Sequence, residues 1–361
     1  MNQKKRILML VLCAILVGLA LGVVVYTIWE RPPEMDGEGL RVPTISARST
    51  PVVHTASPDE PSASALSPSS PKRVPDSTGR RKSCYTFLIT AMDQVGANTD
   101  TILVGRFNTA AGRLDIVSIP RDTLINVPRS MKKINAVVAL EGGGTDVTTL
   151  EDRLADILGF KVDCYAMVNI RALEQLVDCI GGLYYDVPRD MDYDDPTQDL
   201  YIHISKGYQW LSGENAVKVL RFRQGNGGSG YYNGDLGRIA TQQDFLKSAA
   251  SQILSVGNIP HLAEAIEIFT ENVDTDLTGG NLAFFAREFL LMDKDNITFS
   301  TAPGEGVMIG VTSYYQLNVD EWVEMINEKL NPYFETVGVE NLDILRYDSD
   351  EGFISTAGVV Q

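Results

Sequence analysis

The sequence predicts an α/β protein: a single three-layer α/β/α domain around a mixed central sheet, preceded by one N-terminal transmembrane helix and a disordered linker. Three observations predict it. Apolar strand-like runs alternate with runs of helical period from residue 83 to 335. An uncharged apolar run occupies residues 7–29. A stretch rich in Pro, Ser and Thr, residues 30–82, separates the two.

Within 83–335, Tyr85–Ala91, Thr101–Arg106 and Leu114–Ile119 are rich in Val, Ile, Leu, Phe and Thr and read as strands. Asn108–Gly112 reads as the turn between the second and third. Asp146–Leu158 has helical spacing and a C-cap glycine at Gly159. Tyr165–Ile170 reads as a strand, Ala172–Ile180 as a helix closed by Gly181 and Gly182, and Leu183–Val187 as another strand. Glu214–Phe222, Asp235–Leu254, His261–Glu271, Gly280–Met292 and Val319–Leu330 read as helices, with a strand at Asn296–Thr301. No internal repeat is present. The acidic, Gly-bearing tail 336–361 is expected to be loose.

The run 7–29 would span about 35 Å as a helix at about 1.5 Å per residue, enough for a bilayer core of about 30 Å. Lys4, Lys5 and Arg6 precede it, so residues 1–6 are expected in the cytoplasm and the rest outside. The run is longer than the apolar region of a cleaved signal peptide and lacks a small-residue cleavage site, so it reads as an uncleaved single-pass anchor. The linker holds nine of the 16 prolines and has no apolar periodicity, so it is expected to be an extended tether.

The chain has 361 residues, with 31 Lys and Arg against 47 Asp and Glu, a net charge of −16. Residues 1–82 carry 11 basic and 7 acidic groups, which leaves 20 against 40, or −20, for the remainder. An outer region this acidic excludes nucleic acid as the main partner, because duplex binding depends on neutralising phosphates.

Only three histidines are present, His54, His203 and His261, and no Cys-x-x-Cys or His-x-x-His pattern occurs, which argues against a zinc site. No G-x-S-x-G, Walker A or dinucleotide fingerprint is found. Arginine at element ends stands out instead. Pro120 ends a strand and places Arg121 at the sheet edge. Arg221 and Arg223 close one helix, and Arg238 opens the next, with Asp235 just before it and Gln242 one turn later. The Gly-, Asn- and Tyr-rich stretch 224–234 between them reads as a loop able to open and close. Asp93 and Asp100 lie at the end of the first strand and the beginning of the second. Four arginines, two aspartates and no histidine suit a phosphorylated ligand: guanidinium forks match phosphate oxygens, and Mg²⁺ takes carboxylate and phosphate oxygens. Taken singly, each arginine also fits an ordinary surface ion pair in so acidic a domain. Cys84, Cys164 and Cys179 lie in the outer region; Cys164 and Cys179 could face each other, or all could be free thiols.

Several stretches together resemble the LytR-CpsA-Psr family of cell-wall ligases. They are Ala91-Met-Asp93, Asn98-Thr-Asp-Thr101, Ser118-Ile-Pro-Arg-Asp-Thr123, Lys133-Ile-Asn-Ala136, Val177-Asp-Cys-Ile-Gly-Gly182, Leu220-Arg-Phe-Arg223, and Gly234-Asp-Leu-Gly-Arg238 through Gln242-Gln243. Order and spacing agree from Thr90 to Ser248, and Thr301-Ala-Pro-Gly304 and Ser313-Tyr-Tyr315 resemble the family's C-terminal part.

The resemblance implies a transferase anchored in the cell membrane of a Gram-positive-type envelope with its catalytic domain extracellular. It implies movement of a secondary wall glycopolymer, such as teichoic acid or capsular polysaccharide, from a polyprenyl-pyrophosphate carrier to a sugar hydroxyl of peptidoglycan. Carried over by motif, Asp93 and Asp100 match Mg²⁺-associated aspartates. Arg121, Arg221, Arg223 and Arg238 match pyrophosphate-binding arginines, Gln242 matches a nearby polar contact, and Asp235 matches a group that orients or deprotonates the acceptor. Asp100, Arg121 and Asp235 are the expected catalytic residues. The polyprenyl chain would need an apolar slot, expected among Val137–Leu140, Leu150–Leu158 and Ala172–Ile180, positions that equally suit ordinary core. The sequence departs from the family pattern at Ala91-Met92, at Asn98-Thr99, where an arginine is expected, and at Thr241. The competing readings are a non-catalytic wall-polymer binding or scaffolding protein and, least favoured, an envelope-linked regulator.

Overall fold

The computed structural model describes residues 31–35, 39–41, 79–92, 99–141, 143, 146–197, 199–228, 230–231 and 235–361. The expected anchor, 7–29, and most of the linker lie outside them. Among the described residues no helix is long and apolar enough to cross a membrane.

Among the described residues the central sheet has six strands: β1 (Cys84–Met92), β2 (Thr99–Asn108), β3 (Arg113–Ser118), β4 (Cys164–Val168), β9 (Val273–Thr275) and β10 (Ile297–Thr301), in the order β10-β3-β2-β1-β4-β9. β1 pairs antiparallel with β2 and parallel with β4; β3 pairs antiparallel with β2 and parallel with β10. The sheet is therefore mixed, as expected. The helices are α1 (Val137–Leu140), α2 (Thr148–Leu158), α3 (Ile170–Cys179), α4 (Gly213–Arg221), α5 (Asp235–Ile253), α6 (Leu262–Asn272), α7 (Gly279–Leu291) and α8 (Val319–Met325). Their starts follow local chemistry. Asn169, Ser212, Thr278 and Asn318 accept the first free backbone N–H groups of α3, α4, α7 and α8. Gly159, at φ +81°, closes α2 as the sequence predicts.

Apolar residues occupy both faces of β2, as the period of two requires for a strand covered on both sides. Ile102 and Val104 join Leu88, Val117, Leu150, Leu154, Ile157 and Trp322 in one core; Leu103 and Phe107 join Ile116, Phe289 and Met292 in another. The Trp322 indole is fully buried and donates to the Ile157 carbonyl at 2.8 Å. Val137, Val138, Leu150, Leu154, Ile157 and Leu158, from two of the three stretches of the expected polyprenyl slot, are packed inside the first core.

A third core lies under four strands, of which the sequence reading found only the first, Leu183–Val187. β5 (Leu183–Val187) pairs with β8 (Gly207–Leu211), and β6 (Met191–Asp195) pairs with β7 (Leu200–Ile204), all antiparallel. Their inward residues meet Phe222, Phe245 and Ala249. β11 (Gly304–Ile309) and β12 (Thr312–Leu317) form a further hairpin.

Two expectations are corrected. The tail 336–361 is packed, not loose. β13 (Leu345–Asp348) pairs with β14 (Gly352–Ser355), and Val337, Leu342, Ile344 and Leu345 are buried. Asn126 donates to the Asp343 carboxylate and to the Val359 carbonyl, and Lys132 donates to the Gln361 carbonyl. Composition suggested looseness because the acidic residues obscure the buried apolar ones. Two short pieces of the linker also dock on the folded region. Arg31 exchanges bonds with Gly280 and Asn281 at the start of α7. Arg41 pairs with Asp152 and Asp156 on α2, its backbone N–H donates to Gly159, and its carbonyl accepts from Asn341. The cysteine alternatives also resolve: Cys84, Cys164 and Cys179 are free thiols.

Candidate functional site

Parallel pairing places the C-terminal ends of β1 and β4 side by side, and likewise those of β3 and β10; the antiparallel β2 brings its beginning to the same edge. Ligands of open α/β sheets bind at this edge, where loops leave the strands.

The stretch Ser118–Thr123 forms the turn that follows β3. Thr123 donates both its backbone N–H and its hydroxyl to the Pro120 carbonyl, at 3.0 and 2.6 Å. Asn135 N–H donates to the Arg121 carbonyl and Ile134 N–H to the Thr123 carbonyl, which explains the Lys133–Ala136 motif as the support of the turn. Lys133 takes Asp122 at 2.7 Å, while Arg121 Nε stands 4.0 Å from Asp122. On the far side, Tyr315 N–H donates to the Asp122 carbonyl and its phenol to the Ala302 carbonyl, so the two C-terminal motifs buttress the same turn.

α5 supplies the opposite wall. Thr101, Ser118, Pro120, Arg121, Arg238, Ile239 and Gln242 line one cleft. Arg238 is 6% exposed, deep for a guanidinium. Gln242 donates to the Leu220 carbonyl at 3.1 Å and so fixes α5 to the last turn of α4. Gln243 donates to the Ser300 carbonyl and to Thr301, fixing α5 to β10.

Of the expected residues, Arg121, Arg238 and Gln242 thus converge. Arg221, half-buried, ends α4 beside Leu220, and Arg223 is exposed. Neither belongs to the cleft's lining residues named above. Their charges act on Tyr193 of β6: desolvation and then Asp195 push that phenol up, and Arg223 and Arg221 pull it back. Asp93 lies outside the described residues, and of Asp100 and Asp235 only the backbone is described. That backbone is informative for Asp100. Ala91 pairs with Thr101 and Met92 with Thr99, so Asp100 is the extra residue of a β-bulge at the site edge. Bulges recur beside active sites because they re-aim a side chain.

Sequence reasoning missed three positioning residues. Arg189, between β5 and β6, donates to the Gly230 carbonyl and lies over the rings of Tyr231 and Phe222, at 5.4 and 5.8 Å. Asn226 bonds both backbone groups of Asp194. The described part of the loop expected to open and close is therefore pinned to β6. Tyr231 packs on α5, and burial pushes its phenol up. A Cβ on Gly237 would lie 2.9 Å from Tyr231 Cβ, which accounts for the glycine one residue before Arg238. Only that Gly-Arg pair carried a signal in the sequence.

A mixed α/β sheet with a cleft lined by two arginines and a glutamine at its strand ends places this chain among the α/β proteins with a site at the strand-end edge. The chain belongs to the LytR_cpsA_psr family, which it matches over residues 51–331. Relatives include an uncharacterized protein of Staphylococcus aureus, 27% identical over 247 residues, which are 68% of this chain and 57% of that protein. Another is the polyisoprenyl-teichoic acid–peptidoglycan teichoic acid transferase TagU of Oceanobacillus iheyensis, 25% identical over 264 residues, 71% of this chain and 78% of that one. The chain thus spans little more than half the length of the first relative. Among solved structures, Bacillus subtilis TagV shares the fold with a TM-score of 0.57 at 22% identity, covering 69% of this chain and 97% of that chain.

Proposed function

We propose that the protein transfers a secondary cell-wall glycopolymer from a polyprenyl-pyrophosphate carrier to a peptidoglycan sugar hydroxyl. The convergence of Arg121, Arg238 and Gln242 on one cleft at the strand ends carries this reading. Family membership and the name of the Oceanobacillus relative support it.

In this reading Arg121 and Arg238 bind the pyrophosphate and stabilise the charge that builds on its oxygens as the bond to the carrier phosphate breaks. Fixed guanidinium donors suit that task because they keep their charge and need no reorganisation. Arg221 and Arg223 extend the basic surface towards the glycan side. Asp235 orients or deprotonates the acceptor hydroxyl, which attacks phosphorus; a phosphodiester forms and polyprenyl phosphate leaves. Asp93 and Asp100, matched by motif, would supply the carboxylate oxygens that Mg²⁺ prefers, and the bulge at Asp100 supports a re-aimed side chain there. Bound there, Mg²⁺ would neutralise phosphate charge.

The finer architecture belongs to the same proposal. A cytoplasmic start at 1–6, a single membrane-spanning anchor at 7–29 and a linker at 30–82 would present one α/β/α catalytic domain, from residue 83, outside the cell membrane, within reach of carrier and peptidoglycan.

The test is transfer by the full-length chain in detergent, using a short-chain polyprenyl-pyrophosphate glycan and peptidoglycan strands. Arg121→Ala and Arg238→Ala should each lower the rate by about 10²-fold or more, and Asp100→Asn should abolish dependence on Mg²⁺. Rates within twofold of the parent in both arginine variants would overturn the site. Tight polymer binding without turnover would favour the scaffold reading.

A further inference from the structure

The outward face of the β5–β8 pair carries large aromatic side chains that no core covers. Tyr184 is 52% exposed, Tyr208 73% and Trp210 51%. Tyr184 stands opposite Trp210 and Asp186 opposite Tyr208. The Tyr184 and Tyr208 rings stack at 5.6 Å with planes 14° apart. Trp210 is held in place, since its indole N–H donates to the Gly181 carbonyl at 3.1 Å. The indole lies directly over Gly182, where a Cβ would come within 2.3 Å of Nε1. The strand beneath is fixed too, because Gln252 of α5 bonds both backbone groups of Tyr184. Exposed aromatic surface of this size, held rigid, marks an interaction site.

We propose that this ledge binds the acceptor by its N-acetylated amino-sugar backbone, the pyranose faces stacked on Tyr184, Tyr208 and Trp210. This rests on the transfer reading above and names where its second substrate lies. Two observations fix the chemistry. Flat aromatic faces bordered by a carboxylate, Asp186, suit the C–H face and hydroxyls of a sugar ring. The neighbouring β6–β7 pair is acidic, with Asp190, Asp192, Asp194 and Asp195 nearby, and His203 held between Asp192 and Asp194 at 2.6 and 3.1 Å. With Asp186 these carboxylates outnumber the neighbouring cations Arg189, Lys206, Arg221 and Arg223, so the surface disfavours a phosphate-rich polymer relative to a neutral one. Placement agrees. Gln252, under the ledge, lies fourteen residues along α5 from Arg238 in the cleft, about 21 Å at about 1.5 Å per residue. A glycan strand of several sugars bridges that span.

The test uses the full-length chain in detergent, with a hexamer of N-acetylglucosamine as the neutral probe and poly(glycerol phosphate) as the anionic one, read by titration calorimetry. The parent should bind the hexamer and not the anionic polymer. Trp210→Ala and Tyr208→Ser should each weaken hexamer binding about tenfold and raise the KM for acceptor strands without changing kcat. Tyr208, mostly exposed, carries no fold, so its variant stays informative if Trp210→Ala unfolds. Arg121→Ala should lose transfer and keep hexamer binding. A parent that ignores the hexamer, one that prefers the phosphate polymer, or ledge variants that bind as the parent does would overturn the proposal. A parent that binds the hexamer but shows no transfer would sink the transfer reading and leave the sugar ledge standing.

Discussion

Single residues in this fold serve the cleft at a distance. Gly237 makes room for Tyr231, Tyr231 takes the guanidinium of Arg189, and Arg189 holds the Gly230 carbonyl. The chain of contacts ends one residue from Arg238, so a defect far from the cleft would still reach a side chain that lines it. A different residue couples stability to pH. Glu151 on α2 is pushed up to about 7 by burial first, and then by the negative charges of Asp276 and Asp152. An unfolded chain would release that proton near 4.5. Between pH 4.5 and 7 the folded protein therefore holds a proton that the unfolded chain does not. Its stability falls as pH rises through this window, and the loss is complete above it. Glu151→Gln should raise Tm at pH 7.5 and flatten the Tm profile between pH 4.5 and 7. A variant with the parent's slope would show that another group is responsible.

At the scale of elements, the packed tail makes the sharpest claim. A chain ended at residue 335, where composition suggests the domain stops, would lose the buried side chains of Val337, Leu342, Ile344 and Leu345 and leave Asn126 without Asp343. At about 1.5–3 kcal/mol for each large buried apolar side chain, the loss is on the order of 5 kcal/mol or more, comparable to the whole stability of many domains. Thermal unfolding of the two lengths should differ by many degrees; equal Tm values would mean that the tail is dispensable. What could be read beforehand follows the same physics. β1, β2 and β3 were legible because burial on both faces writes them as apolar runs. β6 and β7 were not, because Met191–Asp195 is mostly acidic and buries only one face of a two-stranded pair. The site divides the same way. Arg121, Arg238 and Gln242 stand in short local motifs, whereas Arg189 acts on Gly230 across 41 positions, and no local pattern announces such a contact.

Across the whole molecule, the −20 charge of the outer region and the cleft's half-buried Arg121 and buried Arg238 would act together in the proposed reaction, because basic groups in an acidic body focus an anion to one place. The docked pieces at 31–35 and 39–41 add a constraint on position. Arg41→Glu would set a carboxylate against Asp152 and Asp156 and should release this strap. Faster hydrogen exchange at 39–41 and at the end of α2 would report the release, while unchanged protection would show that the backbone bonds to Gly159 and Asn341 suffice. The strap also bears on how substrate is found. With the proposed anchor ending at Trp29, the folded body is gripped two residues later, at Arg31, so the fifty-residue linker does not act as a long leash. Were the proposed anchor in a bilayer, the body would stay against its surface, and its encounter with a lipid-borne donor would become a lateral search in two dimensions. Encounter frequency would then follow the surface density of carrier lipid rather than any concentration in the wall space.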